Sequence, residues 1–462
     1  MKKIGAGLDF GNSNTTLALY DGEGIEYLKI DTALKKGSVM PSALYIHKNR
    51  EFETGSRALL RYLEENTNRK IRLSEVEVGT IEVHMGEMDR DYFIERDRSF
   101  TARLHARIDK DQPGRLFRGL KMYLGESEDK RFKIFNKLFR LEALLNMMLR
   151  PVREHWEEKG LSLQSIHVGR PVRYQGSSDR EGHQAVGRMK NALDLARFPE
   201  ALFLEEPVAA AWSYLDDHRL KNSDTLLVFD FGGGTLDLAL LKKNSQKGFQ
   251  VLGCEGITRA GDWIDRELYR RYVFPLLGAG ESIPYRKDDG TRSTYPFPFS
   301  DFEELLLNWQ STHLLNQSRY LEVLNKALLC EGEVGEKADR LNRLIRCNGS
   351  FTLIKLIEQA KKELSEKEKT AIVYPEINLE LLLTRDHLNE AIKPFLTEIP
   401  ELIDTLLERC GIEKVDRVVS TGGSSLIPGI RQTLEQRFPG AVEEWDPFRS
   451  IAAGLAMADY YS

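Results

Sequence analysis

The segment Leu226-Leu-Val-Phe-Asp-Phe-Gly-Gly-Gly-Thr-Leu-Asp-Leu-Ala-Leu-Leu-Lys242 predicts two apolar strands joined by a glycine-rich turn. The first strand ends in Asp230, and the second carries Asp237. Three consecutive glycines weaken a hairpin, but they let backbone N–H groups face an anion such as a phosphate. Two aspartates beside that turn suit a divalent cation carried by the phosphate. A plain hairpin with a glycine-rich turn is the alternative.

A second copy of this pattern begins at the N-terminus, in Ile4-Gly-Ala-Gly-Leu-Asp-Phe-Gly-Asn-Ser-Asn-Thr-Thr-Leu-Ala-Leu-Tyr-Asp-Gly22. Its Asp9-Phe10-Gly11 matches Asp230-Phe231-Gly232 residue for residue. A third extended segment follows each copy, at 25–30 and 249–253. Two such copies predict two related lobes whose phosphate loops and aspartates converge on one cleft.

Composition narrows the class of protein. A chain of 462 residues predicts two or more compact units, and 41% hydrophobic with 30% charged residues is typical of a soluble globular protein. A net charge of -5 gives no electrostatic reason to expect a nucleic acid or an anionic membrane as partner. No signal peptide or membrane-spanning run is recognisable. The four cysteines are scattered without a CxxC pair, so a reducing cytoplasm is the expected compartment.

Several other segments have a predicted structure but no chemistry of their own. Residues 31–120 are expected to form a subdomain inserted after the first sheet unit, and its part from 69 to 118 is rich in charge without clear periodicity. The apolar spacing from 132 to 159 predicts a helix. Turn-forming residues make 278–298 the best loop candidate.

Four further features suit a ligand site. Lys121 lies inside the apolar stretch 116–125, where a surface lysine is the ordinary interpretation. Glu206 precedes Pro207 at a strand-to-helix junction, which is the ligand-binding end of an α/β sheet, although a helix start explains it equally well. The helix 351–365 puts four polar residues on one face, and 421–428 follows a strand with two glycines.

Taken together, these segments resemble the nucleotide-binding domain of the 70-kDa heat-shock chaperones, the DnaK family, within the actin and sugar-kinase superfamily. The resemblance implies an α/β actin-like ATPase fold, with two related lobes around a central nucleotide cleft and with inserted subdomains. Each lobe is expected to have a mixed sheet flanked by helices. The implied divisions are lobe I at 1–222 with the insert at about 31–120, lobe II at 223–425 with a helical insert at about 256–370, and C-terminal helices at 426–462 that close on the lobes.

The resemblance also implies site residues. Nucleotide contacts are expected from two phosphate motifs, one helix and one loop: Gly11, Asn12, Ser13, Asn14, Gly232, Gly233, Gly234, Thr235, Glu358, Lys361, Lys362, Ser365, Gly422, Gly423, Ser424 and Leu426. The implied catalytic residues are Asp9, Lys121, Glu206 and Asp237. Asp9 and Asp230 would hold Mg²⁺ mainly through water, with K⁺ as a further candidate ion.

The chain departs from the family pattern at several places. Asn12 stands where the family has a threonine, and Leu426 replaces an arginine that packs on adenine, which leaves Lys362 at the other flank of the ring. The segment 281–348 is longer than its counterpart. No peptide-binding sandwich or helical lid is expected after Ser462, so the resemblance is expected to be to the short chaperone-like proteins of the YegD type.

The expected function is slow, Mg²⁺-dependent ATP hydrolysis that drives a conformational switch between ATP and ADP states. The expected partner is an unidentified protein or co-chaperone, with neither nucleic acid nor membrane involved. Three alternatives stay open: a small-molecule kinase of the same superfamily, an actin-like filament protein, and a scaffold that binds nucleotide without hydrolysing it.

Overall fold

The computed structural model describes residues 3–31, 33, 37–89, 94–126, 131–174, 179–215, 221, 223–244 and 248–462. Of these, 78–89, 94–104, 106, 179–181 and 215 are described by their backbone alone. The predicted first and last residues of lobe I, 1 and 222, lie outside the described residues.

The N-terminal part of the chain, up to Leu215, forms strands and helices in an irregular alternation. Its elements are β1 (Gly5–Phe10), β2 (Asn14–Tyr20), β3 (Ile25–Tyr27), β4 (Val39–Pro41), β5 (Ala43–His47), β6 (Phe52–Thr54), α1 (Gly55–Asn66), β7 (Leu73–Asp89), β8 (Ile94–Asp109), β9 (Gly114–Arg118), β10 (Arg131–Ile134), β11 (Lys137–Arg140), α2 (Leu141–Glu158), β12 (Ser165–Arg170), α3 (Asp179–Leu195), β13 (Glu200–Glu205) and α4 (Glu206–Leu215). A short 3₁₀ helix, Leu120–Gly125, follows β9 and carries Lys121.

The C-terminal part begins with the strand that contains Asp230. Its elements are β14 (Thr225–Phe231), β15 (Leu236–Lys243), β16 (Phe249–Ile257), α5 (Gly261–Leu268), β17 (Ser282–Arg286), β18 (Arg292–Pro296), α6 (Ser300–Leu307), α7 (Ser318–Leu328), α8 (Glu333–Arg346), α9 (Ser350–Glu366), β19 (Lys369–Tyr374), β20 (Leu379–Thr384), α10 (Arg385–Cys410), β21 (Arg417–Thr421), α11 (Pro428–Arg437), β22 (Val442–Glu444) and α12 (Ser450–Tyr461). A 3₁₀ turn, Gly423–Leu426, follows β21.

Two sheets of the same topology confirm the predicted pair of related lobes. The first has the order β13-β12-β1-β2-β3, with β4 added beside β2, and the second has the order β22-β21-β14-β15-β16. In each sheet the central strand pairs antiparallel with the next strand along the chain and parallel with a later one. This shared order brings the Asp9 and Asp230 strands into equivalent positions, as expected of the actin-like α/β fold.

Separate apolar cores fill the two lobes, and the C-terminal helix α12 packs on the first sheet. A Cβ added to Gly5 or Gly7 would collide with the backbone of α12, so the strand needs glycine at both positions. Buried Asp459 of α12 accepts hydrogen bonds from the Ala6 N–H at 2.9 Å and from the Ser165 hydroxyl at 2.8 Å. The helix is therefore tied to β1 and β12 by polar contacts as well as by packing.

Three segments differ from the structure that their patterns predict. The predicted helix at 132–159 begins only at Leu141, because 131–140 pairs as the hairpin β10–β11. The predicted loop at 278–298 contains the hairpin β17–β18, and the charged segment 69–118 contains the long hairpin β7–β8. In all three segments the structure is determined by pairing between strands, which cannot be predicted from helical spacing or turn composition. Within the described residues, no helix has the length and apolar character that crossing a membrane requires.

Candidate nucleotide and catalytic site

The glycine-rich loop of the second sheet is held in place by the start of α5. Asp230 and Asp237 lie opposite each other in the β14–β15 register. The carbonyl of Gly232 accepts from the Gly261 N–H at 3.2 Å, and the carbonyl of Gly233 accepts from the Asp262 N–H at 2.8 Å. With its carbonyls bound on the α5 side, this loop has a fixed orientation.

The first loop repeats the same internal hydrogen bond. The Gly11 N–H donates to the carbonyl of Asn14 at 2.8 Å, and the Gly232 N–H donates to the carbonyl of Thr235 at 3.0 Å. Both N–H groups are therefore used inside their own turns. A phosphate would meet fewer N–H groups in each loop than the residue pattern suggests.

The two loops face each other directly. A Cβ built on Gly233 would lie 2.8 Å from the hydroxyl of Ser13, and one built on Gly234 would collide with the side-chain amide of Asn12. The oxygen of that amide is buried and has no hydrogen-bond partner in the described part of the chain. The two loops thus come into close contact through Ser13 and Asn12, and Asn12 keeps an acceptor that no described residue uses.

A buried charge cluster lies beside the loops. Lys121 donates a hydrogen bond to Glu206, and each residue is only 7% exposed. The backbone of Gly169 lies against Glu206, where a Cβ would come within 3.1 Å of the glutamate stem. Lys121 comes from the 3₁₀ helix Leu120–Gly125 and Glu206 from the start of α4, so the fold joins residues that are 85 positions apart.

The aspartates around this pair hold their protons unusually strongly. Burial raises the pKa of Asp9 to about 7, and the negative charge of Glu206 adds to the effect, while Lys121 opposes it. Burial, with Glu206 again adding, also raises the pKa of Asp237 to about 7. The pKa of Asp230 is raised well above its ordinary value by burial, then by Glu206 and Asp237. One lysine does not balance this negative charge, so the cluster suits a cation.

Asp237 is held by one oxygen and leaves the other unpaired. Its Oδ1 accepts from the Val172 N–H at 2.9 Å, whereas its buried Oδ2 has no hydrogen-bond partner among the described residues. Across the same residues, no three His, Cys, Asp or Glu side chains are grouped closely enough to hold a metal ion. The cluster thus offers negative charge and an unpaired carboxylate oxygen.

The predicted adenosine residues lie in two groups. Lys361 of α9 binds Asp265 at 2.7 Å and the carbonyl of Gly261 at 2.9 Å, while Ser424 donates to the carbonyl of Gly232 at 2.7 Å. These residues tie α9 and the 3₁₀ turn 423–426 to the second phosphate loop. Gly422 has φ +83°, and a Cβ there would lie 2.6 Å from the Asp230 carboxylate.

The other residues predicted to bind adenosine do not contact the second glycine-rich loop in this way. Glu358 is bound by Arg118 of β9 at 3.2 Å, across the cleft between the two lobes. Lys362 is exposed and Leu426 is half-buried, while Ser365 donates to the carbonyl of Lys361 within its own helix. Their predicted roles in nucleotide binding stay predictions.

Three site residues carry no signal in the sequence. Arg118 was hidden in a charge-rich segment, and Asp262 lies beside Gly233 only because α5 starts there. The ring of Phe448 is 47% exposed and lies within 3.3 Å of a Cβ built on Gly423. A cavity of about 190 Å³ is lined by Asn12 and Ser13 on one side and Asp262 and Glu358 on the other. It reaches only part of the predicted site.

Comparison with known proteins agrees with this geometry. A family model described as Hsp70 protein matches residues 350–458, from α9 to α12. The chain is 25% identical to the chaperone protein DnaK of Thermoplasma volcanium over 351 residues, which cover 71% of this chain and 45% of that protein. It is 26% identical to the DnaK of Thermus thermophilus over 321 residues, covering 66% of this chain and 41% of that protein.

The fold and the two phosphate loops define the class as an actin-like, two-lobed α/β domain. Together with these matches, they make the chain similar to the nucleotide-binding part of Hsp70-family proteins. The chain spans less than half the length of the curated relatives it matches.

Proposed function

We propose that this protein binds ATP with Mg²⁺ between its two lobes and hydrolyses it slowly, as a nucleotide-driven switch of the chaperone type. The observation that carries the proposal is the buried Lys121–Glu206 pair beside Asp237, between two facing phosphate loops. Reaction groups that are buried and positioned in this way suit phosphoryl transfer, in which catalysis depends on positioning and electrostatics.

Lys121 is the residue proposed to meet the γ-phosphoryl group. Burial by itself would lower the pKa of this lysine, but the carboxylates of Glu206 and Asp9 outweigh burial and raise it. Lys121 therefore stays charged at neutral pH and can stabilise negative charge on the phosphoryl oxygens. Its bond to Glu206 would be shared with or exchanged for the phosphate when ATP binds.

Asp237 and Glu206 are proposed to orient the attacking water. The buried Oδ2 of Asp237 makes no hydrogen bond of good geometry among the described residues, although a hydrogen bond from the Thr235 side chain lowers the pKa of this carboxyl. Its pKa of about 7 matches the operating pH, which is where a general base is most effective. Glu206 would hold the same water from the opposite lobe once Lys121 turns toward phosphate.

Mg²⁺ would balance the negative charge of the acidic cluster that Lys121 leaves unbalanced. Asp9 and Asp230 would hold it, mainly through water, where it would offset the β- and γ-phosphate charge. Bound Mg²⁺ would lower the pKa values of Asp9 and Asp230 toward their ordinary range, because a nearby cation favours the ionised carboxylate. The nucleotide base would lie near α9 and the turn 423–426.

Hydrolysis by the purified chain tests the proposal. Single-turnover conversion of radiolabelled ATP with Mg²⁺ should be slow but measurable, and Asp237→Asn should reduce it by about 10²–10⁴-fold. Isothermal titration should show that this variant still binds ATP. A chain that neither binds nor hydrolyses ATP would refute the proposal, and efficient phosphoryl transfer to a panel of sugars and polyols would favour a kinase instead.

The switch and its partner are part of the same proposal. Closure of the lobes around ATP and their relaxation after release would change which surfaces are exposed. Affinity isolation of bound proteins with ATP and with ADP tests this directly. The same set of partners in both nucleotide states would contradict a switch.

A further inference from the structure

A second cavity, of about 340 Å³, lies between the inserted parts of the two lobes. The N-terminal side is formed by the end of α1, the base of the β7–β8 hairpin and strands β9 and β10. The C-terminal side is formed by Trp309, Gln310, His313 and Asn348. This cavity shares Arg118 and Trp309 with the smaller cavity next to the phosphate loops, so it adjoins the nucleotide cleft without being part of it.

The lining of this cavity is strongly cationic. Arg69, Arg115, Arg118, Arg131 and Lys133 contribute five positive charges, and Asp109 contributes the single carboxylate, which leaves a formal charge of +4. The protein as a whole has a net charge of -5. Positively charged side chains are therefore concentrated in this cavity, although the chain as a whole has a net negative charge.

Two of these arginines are short of partners. Arg69 binds Asp109 through one nitrogen, but its buried Nε and Nη1 have no hydrogen-bond partner in the described parts of the chain. Arg115 donates to the backbone carbonyl of Lys133, its one hydrogen-bond acceptor among the described residues, and burial lowers the pKa of its guanidinium. Buried guanidinium N–H groups without acceptors cost free energy that an anionic ligand would recover.

A histidine lies in the wall of the same cavity. The ring of His313 is held through Nδ1 near the carbonyl of Gln310, at 2.9 Å. Burial lowers the pKa of this ring, the Gln310 carbonyl and Asp109 oppose that effect, and Arg115 and Arg69 add to it.

We propose that this cavity, here called the roof pocket, binds a small anion that carries two or more phosphate or carboxylate groups. The arginine fork matches both groups because it donates two parallel hydrogen bonds. The volume admits a small metabolite and excludes a folded macromolecule. The ring of Trp309 forms one wall and can pack on an apolar part of the ligand.

An anion in the roof pocket bridges the two lobes. Arg118 donates to Glu358 of α9 at 3.2 Å, and the Asn68 N–H donates to the carbonyl of Cys347 at 2.8 Å, so the lobes already meet at this point. A ligand that binds arginines of lobe I against residues of lobe II favours the closed arrangement. The expected effect on ADP rests on the proposed function, because lobe closure slows the release of ADP only if ADP binds in the cleft.

Inorganic pyrophosphate tests whether the pocket binds a ligand with phosphate groups, and citrate tests whether it binds one with carboxylate groups. Isothermal titration is done on the whole chain, first without nucleotide and then with saturating ADP and Mg²⁺, which removes binding to the phosphate loops. The pocket variant is Arg115→Gln/Lys133→Gln. The control variant is Arg286→Gln/Lys287→Gln, which removes the same two charges from the exposed hairpin β17–β18.

The wild-type chain is expected to bind one pyrophosphate or citrate in the roof pocket, more weakly as salt increases. The pocket variant should lose about tenfold or more in affinity, since each lost charge-assisted hydrogen bond is a tenfold effect or larger, while the control should change less than twofold. Lys133→Gln alone, at an exposed position, provides a variant that should retain the wild-type melting temperature. Equal losses in the pocket and control variants, or no binding of either probe to the wild type, would overturn the site.

Release of a fluorescent ADP analogue separates the two proposals. Pyrophosphate should slow that release at least threefold in the wild type and leave it unchanged in the pocket variant. If the chain binds no ADP, the proposed function fails, but the titration without nucleotide still decides the roof pocket.

Discussion

The two lobes meet in two regions of opposite chemistry. The floor of the cleft contains Asp9, Glu206, Asp230 and Asp237 around Lys121. Its roof contains the cationic pocket and, beside it, an aromatic cluster of Tyr62, Trp309 and Phe351. Most floor residues belong to the duplicated sheets and the helix that follows them, whereas the roof comes from inserted segments. The acidic cluster and the cationic pocket are thus built from different parts of the chain.

The floor should be the more sensitive region. Lys121→Met leaves Glu206 buried among aspartates, so we expect hydrolysis to fall by at least about a hundredfold and the free energy of unfolding by about 3 kcal/mol. The double variant Lys121→Met/Glu206→Gln should recover stability without recovering activity. Single-turnover kinetics and urea unfolding measure the two effects. Recovery of hydrolysis in the double variant would contradict a catalytic role for the pair.

Glycine at the floor allows a second test. Gly422 has φ +83°, and a Cβ there would lie 2.5 Å from the backbone of Phe231, so Gly422→Ala should destabilise the fold by about 3 kcal/mol and weaken ADP binding. Gly440 has φ +70° with open space around it and serves as the control, with an expected cost of about 1 kcal/mol. Urea unfolding compares them. Equal costs would show that backbone strain alone matters at Gly422.

The roof should affect release more than chemistry. Trp309 lies 5.4 Å from Tyr62 and 4.8 Å from Phe351 between ring centroids, so it joins the lobes through edge-to-face contacts. Trp309→Ala should cost about 2 kcal/mol of stability and speed ADP release several-fold. The single-turnover rate of hydrolysis should stay within about twofold of the wild type. A large loss in that rate would mean that the roof also positions the reacting groups.

The smallest expected effect concerns the nucleotide base. Phe448 is 47% exposed beside Gly423, so Phe448→Ala should weaken ADP binding about tenfold if the ring stacks on adenine. Tyr285→Ala removes a similarly exposed ring, 42% exposed, from the hairpin β17–β18 and is the control. Isothermal titration measures both. Unchanged affinity in Phe448→Ala would remove this residue from the site.

The sheet architecture and the glycine loops were predictable from the sequence because they are local. The match between Asp9-Phe10-Gly11 and Asp230-Phe231-Gly232 predicted two related lobes, and the two sheets have the same strand order. The duplication has limits, since the position opposite Asp9 in its hairpin is Thr16, whereas Asp237 is opposite Asp230. Only the second hairpin therefore supplies a second acid.

The inserted segments were the least predictable. The hairpins β7–β8, β10–β11 and β17–β18 lie where the sequence suggested irregular, helical and loop structure. Pairing energy in a hairpin comes from cross-strand neighbours, and the same side chains satisfy other local patterns. Since the hairpins β7–β8 and β10–β11 contribute to the wall of the roof pocket, neither its charge nor its cavity could be predicted.

The sequence by itself predicted the two glycine-rich loops, the paired aspartates and the helix N-terminus at Glu206. These features depend on turn geometry and strand periodicity, which are set by near neighbours in the chain. The tertiary structure decided that Lys121 binds Glu206, that Asn12 meets Gly234, and that Arg118 crosses the cleft to Glu358. Such contacts join residues far apart in the sequence. Their energies depend on burial and charge in the assembled fold, which no local pattern encodes.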